Sequence, residues 1–444
     1  NSAVNPCQLW CHATAEIVVV NSGGGEVATQ LAPVLDRIRL ISTGQPLQVG
    51  AARTIGVEAS RARSVAFLAG DCLARPGWVS GRIGHHGSGA QTVSSAVVAD
   101  ETAGLLALAA NRLRYSARHP LTPLRDVSHY GQSYDRQLLR RCGAFPPGLP
   151  SAEDTRLNRI ALSFAQPVWA PEVQTIHREP PALRDWLRDE ILRGRRQAIH
   201  APFRALAGTA EADPEDLHRT LDAMAAFRQR KIRRLVLDEP GLTPAERRAI
   251  LAMQGLAFVA ARRGMLAGIA DIAAANRLAA EAAAAIDRPD HALRLLDQAR
   301  KLDPHDPFKA VLAGKVNLTL GRTLDAEAAF SDALALAPSN GEAAELLTRV
   351  VADRDGAEAA LHLAEQIACA APTSAALWSI AARRAGAAGH AGWAVALGRV
   401  ALACSVDDPA LHQRLAQHHL AAGNPVLAAF RTMTARRLSA ERSA

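Results

Sequence analysis

Short β-branched runs alternate with stretches of helical period at the start of this chain, and further on the pattern becomes helical throughout. The segment from Glu16 to Val20 is one such run. It ends in Asn21, Ser22 and three glycines, which predicts a buried parallel strand feeding a glycine-rich loop. Val27 to Leu40 and Ala51 to Ala62 carry apolar residues at helical spacing. Ser64 to Leu68 predicts a second buried strand and Thr92 to Ala99 a third. This alternation predicts an α/β domain with a mainly parallel sheet and helices on both faces. In such open sheets ligands bind at the carboxyl ends of the strands, where this chain clusters Gly and Asp.

After Pro180 and Pro181 the pattern turns to arginine-rich helices. Ala205 to Leu242, with acidic and basic turns around Pro214 and Pro240, reads as a helical connector, and Thr243-Pro-Ala-Glu246 opens another helix with a capping residue and an early proline. Beyond it the sequence repeats. Pro304, Pro338 and Pro372 are 34 residues apart, and Asp287, Gly321, Asp355, Gly389 and Gly423 keep the same step. A 34-residue period with a turn residue between two helices and proline at the junction resembles tetratricopeptide repeats, an all-α solenoid whose helix pairs stack to bury their apolar faces. The expected division is 1–204 for the α/β domain, 205–281 for the connector and 282–444 for the repeats.

The N-terminal motifs resemble, in order, those of the family 2 glycosyltransferases. The Glu16 to Val20 run and Asn21 stand where that family has a strand ending in a base-reading Asp. Gly50-Ala-Ala-Arg-Thr-Ile-Gly56 follows its G-x-A-R-N-x-G turn, and Ala69-Gly-Asp71 falls at its Asp-x-Asp motif, with Pro76-Gly-Trp78 after it. The segment Tyr134 to Phe145 comes next, then Glu153-Asp154 at the acceptor-side pair and His177 at the late histidine. The chain departs from the pattern at Ala69, Asn21, Thr54 and Arg156, and only 15 residues precede Glu16, so the domain is expected to lack its first strand.

The resemblance implies a nucleotide-diphospho-sugar transferase fold and inverting transfer of a sugar to a glycan, lipid-linked or protein acceptor in envelope polysaccharide synthesis. It also implies a divalent cation, Mn²⁺ or Mg²⁺, bridging the donor diphosphate, with Asp71 as ligand and His177 as a further metal or diphosphate contact. Asn21, Ser22, Arg53 and Asp71 are the expected nucleotide-sugar residues, Arg53 either meeting the diphosphate or holding the nucleotide loop. Inversion needs a base for the acceptor hydroxyl, which falls to Asp154, with Glu153 as acceptor or helix-start partner. Both carboxylates also suit a plain helix N-terminus. The departures leave open a second reading, a degenerate transferase acting as a scaffold through its repeats.

Composition narrows the rest. The chain has 444 residues, 49% hydrophobic but only 4% aromatic, which favours several domains and close-packed helices. A net charge of +8 suits an anionic partner. The basic runs at 193–196 and 228–234 lack interleaved aromatics, so nucleic acid is not expected; they read as solvated helix faces or as peripheral contacts with an acidic membrane. Six scattered cysteines fit reduced thiols, and no zinc site is expected from Cys7 and Cys11. His85 and His86 read as loop surface. The most apolar stretch, Leu251 to Ala261, is 11 residues against the roughly 20 needed to span a bilayer, so a cytoplasmic protein is expected, with a protein partner on the repeats.

Overall fold

The computed structural model describes residues 15–102, 104–128, 132–143, 145, 152–200, 203–207 and 214–443. Cys7 and Cys11 lie outside these residues. The chain divides into two compact units, Asn1–Ala273 and Ala274–Ala444.

The first unit is α/β. β1 (Val18–Asn21) is half-buried and pairs in parallel with β2 (Arg39–Ser42), forming a two-stranded sheet of their own. The helical period of 27–40 is only partly realised. α1 (Val27–Leu31) is one turn, a 3₁₀ segment follows from Ala32, and the chain then extends into β2. Proline at 33 suits the first turn of a helix, and Arg39–Ser42 has a partner strand to complete its hydrogen bonds. α2 (Val49–Ala59) occupies the second predicted helix.

The main sheet has five strands in the order β3 (Ser64–Ala66), β6 (Ser133–Asp135), β5 (Thr92–Ala99), β7 (Val168–His177), β4 (Cys72–Ala74). It is mixed. β5 and β7 are parallel, whereas β3–β6, β5–β6 and β4–β7 are antiparallel. β5 is buried at all eight positions, as a central strand covered on both faces must be. β7 runs to His177, which is buried.

Helices α3 (Trp78–Gly87), α4 (Gly104–Tyr115), α5 (Arg136–Cys142) and α6 (Glu153–Ala161) complete the α/β part. One core joins Val57 of α2, Tyr134, Leu138, Leu139, Phe145 and Leu157. A second joins Ala109 and Leu113 of α4 to Trp186 on α7 (Leu183–Gln197), Val236 on α8 (Pro214–Asp238), and Ile250 and Met253 on α9 (Pro244–Ala284). The helices after Pro181 therefore share a core with α4. α7 crosses α9 with no room for a side chain between them: a Cβ on Gly194 would lie 2.0 Å from the Ala261 carbonyl oxygen, and one on Gly264 1.9 Å from that of Ile191.

The second unit is helical. Four helix pairs follow α10 (Pro289–Leu302): α11 (Pro307–Thr319) with α12 (Thr323–Leu336), α13 (Gly341–Asp355) with α14 (Ala357–Ala370), α15 (Ala375–Ala387) with α16 (Ala391–Cys404), and α17 (Pro409–Ala421) with α18 (Pro425–Ser443). The 34-residue step reappears as buried alanines at 292, 326, 360, 394 and 428, small enough for helices to pack closely. Gly321, Gly389 and Gly423 have φ of 68°, 84° and 75°, the left-handed turn that separates the two helices in three of the four pairs. No strand occurs among the described residues of this unit, and stacking continues past Pro338, where α12 packs on α13. No described helix is long and apolar enough to cross a membrane.

Candidate functional site

The antiparallel pairing of β4 with β7 builds the centre of the site. Its register sets Cys72 opposite His177, so Asp71, on the turn before β4, meets an imidazole 106 positions away in sequence. The Asp71 carbonyl accepts the Arg178 N–H at 2.9 Å, which ties that turn to the end of β7. His177 Nε2 lies 3.4 Å from Asp71 Oδ2, and its Nδ1 lies 3.0 Å from Glu179 Oε1, whose side chain is fully buried.

The electrostatics follow from this sandwich. Hydrogen bonding to His177 holds the Asp71 carboxyl down at about 2, against the opposing effect of burial. Burial alone would lower the imidazole of His177, but the carboxylates of Asp71 and Glu179 outweigh it and raise the ring to about 9. Burial and the Asp71 charge push the Cys72 thiol up to about 12, so it stays protonated.

Ligand atoms of Asp71, Cys72 and His177 all lie within 4.8 Å of one another. A hard divalent cation wants oxygen, which Asp71 offers; the His177 imidazole adds a nitrogen beside it, and the protonated thiol adds little. An imidazole that ligates through one nitrogen is commonly oriented by a carboxylate on the other, and Glu179 occupies that place. Asp71 and His177 are the residues that would hold a divalent cation here.

Asp154 stands in the first turn of α6, exposed, with Oδ1 accepting the Thr155 N–H at 2.6 Å. It lines a cavity of about 480 Å³ together with Tyr115 and residues of α7, α8 and α9. Tyr115 links the two halves of the site, because its ring packs on His177 with centroids 4.9 Å apart. Arg118 is a further link. Its guanidinium donates to the Ser95 carbonyl at 3.2 Å and lies within electrostatic reach of Tyr115, Asp154 and Cys72. Burial pulls its pKa below the ordinary arginine value, and those groups oppose the shift.

Glu153 differs from its neighbour. It is buried and pairs with Arg53 at 2.6 Å, while the Arg53 guanidinium lies over the rings of Phe67 and Phe145. Burial raises the Glu153 carboxyl and Arg53 offsets part of that rise. Arg53 thus ties α2 to α6. Asn21 ends β1, its carbonyl accepting the Thr43 N–H at 3.0 Å, and the Ser22 carbonyl accepts that of Leu47 at 3.1 Å. Asn21 belongs to the separate two-stranded sheet and Ser22 directly follows it, whereas Asp71 and His177 sit on the β4–β7 pair.

The reading of His85 and His86 as loop surface is corrected by their place on α3. His85 Nε2 reaches Glu172 Oε1 at 2.7 Å, and half-buried His86 meets the Ala90 carbonyl and the Ser133 hydroxyl, its pKa lowered by burial. Motif order gave no sign of Tyr115 or Arg118. Glu179 alone had a signal, two residues beyond the late histidine.

A profile of the family described as Glycosyl transferase family 2 matches residues 6–135, so the N-terminal region carries a domain of that family. No curated protein matches the chain. Among solved structures, MamA 41-end from Desulfovibrio magneticus RS-1 is 19% identical, covering 38% of this chain and 97% of its own at a TM-score of 0.30. YrrB, described as a TPR protein with an unusual peptide-binding site, is 17% identical, covering 38% of this chain and 84% of its own at a TM-score of 0.28.

Proposed function

We propose that this chain is an inverting glycosyltransferase that moves a sugar from a nucleotide-sugar donor to the hydroxyl of a glycan, lipid-linked or protein acceptor, in envelope polysaccharide synthesis. The observation that carries the reading is the β4–β7 register, which joins Asp71 to His177 and, through Tyr115, to the cavity wall that bears Asp154.

In this reading the acceptor oxygen attacks the anomeric carbon as its bond to the diphosphate breaks, and the hydroxyl proton goes to Asp154. The nucleoside diphosphate leaves with the bonding electrons. Asp71 and His177 would hold a divalent cation, which when bound would neutralise charge on that leaving group. Glu179 orients the imidazole. Glu153, already paired with Arg53, positions the start of α6, and Arg53 in turn holds α2 behind the nucleotide loop of Asn21 and Ser22. The +8 charge and the repeats suit peripheral contact with an acidic inner membrane face and a protein partner.

The test is a titration of the chain with a panel of nucleotide sugars, with and without Mn²⁺, followed by detection of nucleoside diphosphate release. Metal-dependent binding and release are expected. Absence of binding, unrescued by Ala69→Asp, overturns the enzyme and leaves the scaffold reading suggested by Ala69 and Asn21.

A further inference from the structure

The cavity beside Asp154 is built largely by helices that follow the residues matched to the transferase family. Its volume of about 480 Å³ falls in the range of small-molecule pockets. One wall is apolar, with Leu221, Ala225 and Ile232 from α8 and Ala257, Phe258 and Met265 from α9. The alanines keep it open. The glycine crossing of α7 on α9 bounds it, since Gly194 and Ala261 both line the cavity.

The polar wall comes mainly from α7. Among the arginines that line the cavity, Arg114 is held by Glu179, Asp189 and Glu190, Arg193 by Asp189, and Arg262 by Asp222. Arg196 is exposed and has no ion-pair partner among the described residues. The cavity therefore offers a hydroxyl-accepting carboxylate at Asp154, one uncommitted guanidinium and a greasy wall.

We propose that this cavity takes the acceptor, and that the acceptor is an anionic amphiphile: a hydroxyl-bearing head, a phosphate and an apolar chain. The hydroxyl meets Asp154, the phosphate meets Arg196, and the first part of the chain lies on α8 and α9. The basic run at 193–196 thereby contributes a ligand contact as well as a solvated face. This assignment rests on the transferase reading for the role of Asp154, but the pocket can be tested without any donor.

The full chain is titrated calorimetrically with decyl phosphate below its aggregation concentration, with decanol and with inorganic phosphate. Decyl phosphate is expected to bind about tenfold more tightly than either, the gain of one charge-assisted contact joined to an apolar one. Arg196→Ala, at an exposed position, should lose most of that tenfold and leave decanol unchanged. Ala257→Leu, checked for an unchanged melting curve, should lose both amphiphiles by filling the wall, while nucleotide-sugar affinity stays at the wild-type value.

Equal binding of inorganic phosphate, or an Ala257→Leu variant that binds as the wild type does, overturns the proposal. So does binding only to vesicles containing phosphatidic acid with no response to monomeric decyl phosphate, which assigns the charge to a membrane surface. A chain that binds decyl phosphate but no nucleotide sugar keeps the pocket and loses the transferase.

Discussion

Asp154 and Glu153 are adjacent, yet their surroundings divide their work. Exposed Asp154 faces the cavity, whereas Glu153 is buried against Arg53. Asp154→Asn should lower transfer about 10²-fold or more, as removal of a general base does, with donor affinity unchanged; single-turnover rates beside a donor titration check it. The Asp71–His177 pair makes a pH prediction for the metal-free protein. The folded imidazole, at about 9, is above its ordinary 6.5, so its contribution to stability is complete below about pH 6.5 and is lost as pH rises towards 9. The carboxylate, at about 2, is below its ordinary 3.8, so its contribution is complete above about pH 4 and is lost as pH falls through 2. Melting temperature against pH should show the wild type above Asp71→Asn between those limits, with the two curves converging on the alkaline side. Parallel curves through pH 9 would refute the pair.

Elements are joined here by a few close approaches. At the α7–α9 crossing, Gly264→Ala drives a methyl to 1.9 Å from a backbone oxygen that has no rotamer to change, so the helices must part. A loss of about 1–3 kcal/mol or more is expected from chemical denaturation, as for other overpacked sites. The first described pair of the repeats is pinned by Lys309, fully buried, with Nζ 3.0 Å from Asp303 Oδ2, 2.5 Å from Asp306 Oδ2 and 2.9 Å from Asn276 Oδ1. Lys309→Met removes the buried cation that Asp303 and Asp306 share and should lower the midpoint of a far-UV circular dichroism melt, a loss of up to about 3–5 kcal/mol. An unchanged midpoint would refute the pinning role of Lys309.

For the whole chain, the +8 charge predicts adsorption to anionic vesicles at low salt that is lost near 1 M, where the screening length is about 3 Å. Co-sedimentation at the two salt concentrations checks it, and adsorption that survives high salt would point to apolar insertion instead. At this scale two units of different class coexist: an α/β region with a mixed sheet, and helix pairs that repeat every 34 residues.

The repeats were legible residue by residue, because each pair is a local solution: a left-handed glycine ends one helix, and alanines at a fixed step admit the next. Thr92 to Ala99 was legible as strand for a similar reason, since a β-branched run buried on both faces needs no pattern beyond its own composition. β2 and β7 were not read. β2 continues a helical period and is strand only because β1 completes its hydrogen bonds, and β7 mixes proline and polar residues that gain their burial from β5 and β4. The motif residues Asp71, Asp154 and His177 could be named from the order of the sequence alone. What each of them touches was decided by the tertiary structure. Antiparallel register places the imidazole on the carboxylate, the Arg53 pairing separates Glu153 from Asp154, and the α7–α9 crossing bounds a cavity from residues that read as connector. Sequence determines which groups a chain carries and which local conformations they favour; distances across 106 positions are set by long-range pairing and close packing, to which no local pattern is sensitive.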